Sequence, residues 1–182
     1  GRVSAFKTLS LSNNYVHSIQ KTETTGTPSK TIATTLPDVV ASLSQVERLV
    51  FADRWMQNGQ INLKYAHRKT EVVTTSLDTD TTLGSDLRGI IRKRFDTTLS
   101  VNFRDTDKKD LRLGVITNRT HHEDATIQTT FDIFTGKFRF TPKVDYVKDT
   151  TELGTGVKQQ DVTVITPSIL SRADLALPRG LV

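Results

Sequence analysis

The sequence predicts an all-β fold, an antiparallel meander of long hairpins that forms part of a transmembrane β-barrel. Apolar and polar residues alternate with a period of two along most of the chain, and turn residues separate the alternating stretches. In addition, only 35% of the 182 residues are hydrophobic, whereas a compact soluble domain has roughly 45–50% apolar residues, glycine included. Either much of the chain is solvated loop, or each strand buries one face and leaves the other in water.

The alternation defines rows of apolar residues on predicted strands. These rows run through residues 9–19, 61–67, 99–103, 111–115, 125–133, 138–146 and 162–164, and continue through Ala173, Leu175 and Leu177. The chain also has 29 threonines, whose branched Cβ suits an extended backbone and whose hydroxyl suits a wet face. We expect strands of about 9–12 residues, which is longer than the usual 5–6 of soluble sheets.

Turn signals divide the rows into hairpins. Asn58-Gly59 precedes the row at 61–67, and Thr135-Gly136 is short enough for a tight turn. The polar clusters 105–110 and 121–124 are predicted to link neighbouring rows, and longer polar loops are predicted at 22–35, 74–85 and 148–160. Transmembrane barrels combine short turns at one end with longer loops at the other, although soluble sandwiches also have uneven loops.

Helical signals are scarce. Apolar residues in the segment 39–51 fall near helical spacing, and a proline shortly before it would suit a helix start. The same segment also fits a strand through Val39, Ala41 and Leu43, and we predict a strand followed by a turn.

Composition limits the classes of partner. There is no cysteine, and the formal charge of +5 comes from Lys and Arg residues spread along the chain, so we expect no nucleic-acid partner. No apolar run typical of a signal peptide occurs in residues 1–15. No stretch of 18 apolar residues exists that would predict a transmembrane helix. Transmembrane strands need only about 9–11 residues of alternating polarity, so they remain compatible with the sequence.

The apolar rows are long enough for a membrane strand. In hydrocarbon every backbone N–H and C=O must be paired within the protein, so strands cross only as a closed barrel. The row 138–146 has nine residues, and Arg139, Lys143 and Asp145 occupy its opposite face. In a soluble β-sandwich or jelly-roll module for binding or assembly, adhesin- or capsid-like, that polar face would be the outer surface. Alternation alone does not separate these two architectures.

Aromatic residues at the ends of rows favour the membrane interpretation; they are Trp55, Phe95, Phe131 and Tyr146. Lys93 opposes it, because it falls on the row of Leu87, Ile91 and Phe95. A lysine on the lipid face costs about 2–4 kcal/mol at the midplane of a bilayer and much less near an interface. We therefore expect Lys93 to lie near an interface.

One segment resembles a known family. Leu36-Pro37-Asp38 through Glu47-Arg48-Leu49, which leads into the row after Gly59, resembles the Pro-Asp segment with a Glu-basic-Leu step in SprA/Sov-like proteins. Residues 161–168 through Leu177-Pro178-Arg179-Gly180-Leu181 are similar to late barrel strands in distant members. The resemblance covers residues 36–182 and consists mostly of strand patterning.

The resemblance implies a very large single-chain barrel, the outer-membrane translocon of type 9 protein secretion in Gram-negative bacteria. It implies that residues 1–182 are a single segment of that barrel, truncated at both ends, and supply about 8–10 of its roughly 36 strands. The implied partners are membrane lipid, secreted protein cargo and other components of the secretion system. The family's motifs mark no functional residue on a numbered position of this sequence.

No catalytic, cofactor-binding or metal-binding residue is predicted, and we expect no enzyme activity. His121-His122-Glu123-Asp124 has metal-ligand residue types, but adjacent side chains of a strand point to opposite faces, which favours a polar turn. Asp105, Asp107 and Asp110 resemble part of a calcium loop, but the glycine and the final glutamate of an EF-hand are missing.

Three further motifs carry little chemistry. Asp78 and Asp80 lie in a threonine-rich segment, and Gly154-Thr155-Gly156 lacks the remaining glycine and the helix of a phosphate-binding loop. Asn118-Arg119-Thr120 is a glycosylation triplet that matters only in a eukaryotic secreted protein.

Overall fold

The computed structural model describes residues 2–6, 8–24, 27–49, 52, 54–73, 75–133 and 138–173. The described strands form one antiparallel sheet of nine strands in sequence order, without a crossover, which confirms the predicted all-β meander. The strands are β1 (Arg2–Phe6), β2 (Leu9–Thr24), β3 (Thr27–Ser44), β4 (Met56–Val72), β5 (Ser76–Ile91), β6 (Phe95–Asp110), β7 (Val115–Ile133), β8 (Phe138–Leu153) and β9 (Lys158–Ala173), and a single-turn helix, α1 (Val46–Leu49), follows β3.

Most predicted rows lie in strands. The rows at 9–19, 61–67, 99–103, 125–133 and 138–146 belong to β2, β4, β6, β7 and β8, and the strand predicted through Val39, Ala41 and Leu43 belongs to β3. Thr135-Gly136, Leu175, Leu177 and the similar terminal segment 177–181 lie outside the described residues.

The strands are longer than predicted. Each of β2 to β9 has between 16 and 19 residues. The clusters 105–110 and 121–124, predicted as links, lie within β6 and β7, and the predicted loops at 22–35, 74–85 and 148–160 lie mostly in strands. Those predictions were wrong because charged and threonine-rich segments continue the hydrogen-bond ladder when each polar side chain has a polar partner across it.

One predicted turn and one predicted strand were also wrong. Asn58-Gly59 lies inside β4, where a register shift and a positive φ of 54° at Asn58 mark a bulge. Residues 111–114, predicted as a strand, form the turn between β6 and β7. The Asp110 carboxylate accepts hydrogen bonds from the N–H groups of Leu113 and Arg112, which lower the pKa of Asp110, and Gly114 supplies the left-handed residue.

Helix α1 packs against β4 at Gly59. Val46 and Glu47 are buried, and the Glu47 carboxylate accepts a hydrogen bond from the Gly59 N–H at 2.8 Å. A Cβ on Gly59 would lie 2.7 Å from that carboxylate oxygen and 2.8 Å from the Met56 methyl carbon. A larger residue at position 59 would therefore displace the Glu47 carboxylate and the Met56 side chain.

The hairpins are staggered by about one residue per strand. A row of cross-strand partners starts at Leu9, the first residue of β2, and passes through Leu99 of β6 and Val144 of β8. β4 starts at Met56, five residues before this row, β6 starts at Phe95, four residues before it, and β8 starts at Phe138, six residues before it, so that most of the shift lies between β2 and β4. The strand starts thus move by six residues over the six steps from β2 to β8.

This stagger has the size that barrel closure requires. With a rise of about 3.4 Å per residue and a strand spacing of about 4.8 Å, one residue per strand corresponds to a tilt of about 35°. Strands of closed barrels tilt by about 35–45°. In the described part of the chain the sheet is open, because β1 and β9 each have one neighbouring strand.

We predict that Gly59→Ala destabilises the protein by roughly 1–3 kcal/mol, because it displaces Glu47 from a buried hydrogen bond. The measurement is the free energy of unfolding by urea. Gln57→Ala, a change at an exposed neighbour in β4, serves as the control. Equal stability of the two variants would contradict this account of how α1 packs against Gly59.

Candidate functional faces of the sheet

The strand registers sort the side chains into two faces, because successive side chains of a strand point in opposite directions. We call the apolar face the one that carries the row starting at Leu9, and the polar face its opposite. That row consists of Leu9, Leu43, Ile61, Leu87, Leu99, Ile127, Val144 and Pro167.

Five consecutive strands have a nine-residue segment whose side chains on the apolar face are all uncharged. These segments are 83–91, 95–103, 125–133, 138–146 and 165–173, and together we call them the apolar band. Its side chains are Leu83, Ser85, Leu87, Gly89, Ile91, Phe95, Thr97, Leu99, Val101, Phe103, Ala125, Ile127, Thr129, Phe131, Ile133, Phe138, Phe140, Pro142, Val144, Tyr146, Ile165, Pro167, Ile169, Ser171 and Ala173.

Most of the apolar band is not covered by any other described element; the exception is Gly89, which is buried, and a Cβ there would lie 2.9 Å from Met56 Sδ of β4. Leu99 is 37% exposed, Ile127 48% and Ile169 73%, and no second sheet exists among the described residues. Val162 and Val164, predicted as an apolar row, lie in β9 and share a face, but that face is the polar one, because Val162 pairs with Asp149. Strand β9 therefore carries apolar residues on both faces of the sheet.

Aromatic side chains lie at both ends of the band. At one end the ring centroids of Phe95 and Phe131 are 5.5 Å apart, and those of Phe131 and Phe140 are 6.0 Å apart. The other end carries Tyr65 of β4, Phe103 and Tyr146, on neighbouring or nearby strands. The sequence-based placement of aromatic residues at row ends is therefore confirmed for Phe95, Phe131 and Tyr146.

The connections between band segments differ greatly between the two ends. At one end three residues, 92–94, join the β5 and β6 segments, and four residues, 134–137, separate those of β7 and β8. At the opposite end the connections comprise 21 residues, 104–124, and 18 residues, 147–164. The long connections are mostly extensions of the hairpins. Their polar segments 105–110, 121–124 and 148–160 were predicted as links or loops because of their polarity.

The apolar face becomes charged immediately beyond the band at the long-connection end. Arg119 Nε donates to Asp107 Oδ1 at 2.8 Å. His121 contacts the carboxylates of Asp105 and Glu123, and its Nε2 lies 2.8 Å from Glu123 Oε1. We call these five residues the charged extension. Asp105 and Asp107 therefore bind His121 and Arg119 on the neighbouring strand, while Asp110 caps a turn, so the three do not form one calcium loop.

Polar side chains pair across strands on the polar face. Ser100 Oγ donates to Asp86 at 2.5 Å, Asn102 Nδ2 donates to Asp124 at 2.9 Å, and Thr126 Oγ1 donates to Asp145 at 2.6 Å. Further cross-strand pairs are Lys64 with Asp86, Arg104 with Asp80, and His122 with Asp149, and His122 also contacts Asp124 on its own strand. From β4 to β8 most side chains of this face are polar and partly exposed, which suits contact with water, whereas β9 contributes Val162, Val164 and Leu170 to it.

The remaining sequence candidates are dispersed. His121 and His122 lie on opposite faces, as strand geometry requires, and Asp78 and Asp80 lie in β5. Among the described residues no group of three or more His, Asp or Glu side chains is arranged to hold a metal ion. The Gly154–Thr155–Gly156 stretch is the turn before β9, with Gly156 at a φ of 82°, and the triplet that starts at Asn118 lies in β7.

Lys93 lies outside the band. It occupies the turn 92–94 between β5 and β6, at a φ of 61°, so its place on the apolar row was only apparent. The same turn places Arg92 beside Trp55, with the guanidinium carbon 4.9 Å from the ring centroid. Sequence reasoning missed this cluster, although a run of three basic residues between two apolar rows was a usable turn signal.

None of the known protein families has a model that matches the chain, and neither curated proteins nor solved structures provide a significant match. No helix in the described part of the chain has the length and apolarity needed to cross a membrane. The functional argument therefore rests on the two faces of the sheet.

We predict that His121 stabilises the sheet in a pH-dependent manner. Asp105, and then Glu123, raise the pKa of His121. The stabilisation is fully present below the unfolded pKa of about 6.5 and is lost as pH rises through the higher folded pKa. The difference in thermal midpoint between the native protein and His121→Gln should accordingly be larger at pH 5.5 than at pH 9.

The control for this measurement is the same comparison in an Asp105→Asn background. There the pH dependence of the difference should shrink, because the first of the two carboxylates is neutralised. A pH dependence that is unchanged in that background would assign the effect to another group.

Proposed function

We propose that the chain is a segment of an outer-membrane β-barrel translocon or transport protein, whose apolar face meets lipid and whose polar face lines a water-filled lumen. The apolar band carries this proposal. Eight residue steps of about 3.4 Å give about 27 Å along a strand, or about 22 Å along the membrane normal at a tilt of about 35°. The apolar band of outer-membrane barrels is about 25 Å tall.

The ends of the band support the same proposal. Aromatic side chains form girdles at both membrane interfaces of such barrels, and here they lie at both ends of the band. The abrupt change from Phe103 to the charged extension matches a strand that leaves the hydrocarbon and enters water. Short connections at one end and long ones at the other match periplasmic turns and extracellular loops, respectively.

The polar face supports a hydrated lumen. Its charged and amide groups are partly exposed and pair with one another, as between Asn102 and Asp124. In hydrocarbon the edge strands of the sheet would leave backbone groups unpaired, which is too costly in a membrane. The proposal therefore requires further strands that pair with β1 and β9 and close the barrel.

Within this class we propose the type 9 secretion channel in the outer membrane of a Gram-negative bacterium. The support is the resemblance of residues 36–182 to SprA/Sov-like proteins, together with strands suited to a large barrel. Nine strands would form about a quarter of a barrel of roughly 36 strands. In this role the polar face would contact secreted protein cargo, and the apolar face membrane lipid.

The alternative is a soluble β-sandwich or jelly-roll module. It requires a second sheet packed on the apolar band and Greek-key connections. The described residues form a single sheet with strands in sequence order, so this architecture has less support than the membrane barrel.

Nitroxide labels on β6 test which face meets lipid. The chain contains no cysteine, so single cysteines at Leu99 and Thr98 place labels on opposite faces without background from this segment. In the full-length protein in lipid vesicles, we expect the label at Leu99 to collide with oxygen and not with an aqueous nickel chelate. We expect the opposite preference at Thr98. A label at Leu99 sheltered from both reagents would support the soluble alternative.

A charge in the middle of the band should be costly. Leu99→Arg should reduce the stability of the protein in vesicles by about 2–4 kcal/mol, because Leu99 lies at the middle of its segment. Thr98→Arg, the matched change on the polar face, should have a much smaller effect. The measurement is urea-induced unfolding in vesicles, and equal losses in the two variants would contradict the assignment of faces.

Site-specific photo-crosslinking tests the secretion role. With benzoylphenylalanine at Thr98 in the native bacterium, an epitope-tagged type 9 substrate should be captured during export. The same residue at Leu99 should capture none, because that position faces lipid. If neither position captures the substrate while the nitroxide labels behave as expected, the protein is a barrel with another cargo.

A further inference from the structure

A basic cluster lies at the short-connection end of the sheet, next to the apolar band. It consists of Arg92, Lys93 and Arg94, which form the β5–β6 turn, and of Arg54 and Trp55 before β4. The Arg92 N–H donates to the Trp55 carbonyl oxygen at 2.7 Å, and the Arg92 guanidinium lies 4.9 Å from the Trp55 ring centroid. The two connections are thus joined into one surface.

The residue types of the 92–94 turn do not suit its backbone conformation. Arg92 and Lys93 have positive φ angles of 48° and 61°, a region in which glycine and asparagine are favoured and long side chains are uncommon. Three adjacent cations also repel one another. A conformational and electrostatic cost concentrated in three residues points to a function for the charges.

The positive charges of the cluster have no anionic partner in the described part of the chain. No ion pair there involves Arg54, Arg92, Lys93 or Arg94. The nearest described carboxylates in sequence are engaged elsewhere: Asp96 pairs with Arg88 at 3.0 Å, Asp86 pairs with Lys64 at 3.2 Å, and Glu47 binds the Gly59 N–H. Asp53 lies outside the described residues. Trp55 is 56% exposed.

The height of the cluster matches the headgroup layer, if the apolar band spans the hydrocarbon. The turn begins directly after Ile91, the last band residue of β5, so its centre lies at most about 7 Å further along the strand direction, or about 6 Å along the membrane normal at a tilt of about 35°. The headgroup region on each side of a bilayer is about 5–7 Å thick. Tryptophan prefers this layer, and arginine binds phosphate through two parallel N–H groups.

We infer that this cluster binds the phosphate headgroup of an anionic phospholipid in the leaflet at the short-connection end. The inference rests on the proposed membrane function. Short turns of outer-membrane barrels face the periplasm, so the lipid belongs to the inner, phospholipid leaflet. Bound lipid would neutralise the turn and fix the height of the barrel in the membrane.

A fluorophore next to the turn tests the inference. Bimane on Ile91→Cys in the full-length protein is reconstituted in phosphatidylcholine vesicles, with a fixed fraction of either brominated phosphatidylglycerol or brominated phosphatidylcholine. We expect stronger quenching by the phosphatidylglycerol, and a loss of that preference of about fivefold for each cation removed. The variant is Arg92→Gln/Lys93→Gln/Arg94→Gln, and Arg94→Gln alone serves if the triple variant does not fold.

The control variant removes three cations at the opposite end, Lys108→Gln/Lys109→Gln/Arg112→Gln, and should retain the preference at Ile91. Equal quenching by both lipids in the native sequence overturns the headgroup site and leaves the membrane proposal intact. No quenching by either lipid overturns both. Inorganic phosphate shares the chemistry of the headgroup and should therefore compete for the cluster more strongly than chloride at equal ionic strength. If millimolar phosphate removes the preference completely even at a saturating fraction of phosphatidylglycerol, the cluster takes a soluble anion instead and the lipid site is overturned.

Discussion

The backbone hydrogen-bond ladder between antiparallel strands is the constraint on which both faces of the sheet depend. A slip of one residue between two strands would move every side chain to the opposite face. From β5 to β9 the register is continuous through the whole apolar band, and its shifts between β6 and β7 and between β8 and β9 lie in the long connections. The band is therefore unbroken across five strands.

The same ladder explains the charged ends of the hairpins. Segments such as 104–110 and 115–124 carry few apolar residues and would gain little by packing on a core. They remain extended because charged groups on adjacent strands lie opposite one another, as do Asp107 and Arg119. Exposed ion pairs of this kind contribute little individually, but they match the polarity of the solvent while the backbone stays paired. The hairpins can thus extend well beyond the apolar band.

The two ends of the sheet differ in chemistry as well as in length. At the long-connection end, the carboxylates of the charged extension contact its two basic residues, Arg119 and His121. At the short-connection end, three adjacent cations, Arg92, Lys93 and Arg94, follow the band without a described acidic partner, beside an exposed tryptophan. A bilayer whose two leaflets differ in lipid composition also surrounds a protein with different chemistry at its two ends. The asymmetry of the chain and that of the proposed environment are therefore consistent.

The sequence by itself determined the strand class and the alternation of faces. Rows such as 138–146 need only a period of two and a turn signal to be recognised, and the aromatic ends at Phe95 and Tyr146 follow from the same rows. The lengths of the strands were not predictable in this way, because Asp105, His121 and their neighbours resemble a polar loop until their partners on the adjacent strand are known.

Only the tertiary structure decided the register, and with it the stagger of the hairpins and the extent of the apolar band. It also placed Lys93 in a turn, moved Val162 to the polar face and brought Trp55 to Arg92. These properties depend on contacts between residues far apart in sequence, whereas alternation along one strand is a local property. The physical reason is that a strand defines two faces by itself, but its neighbours define where each face begins and ends.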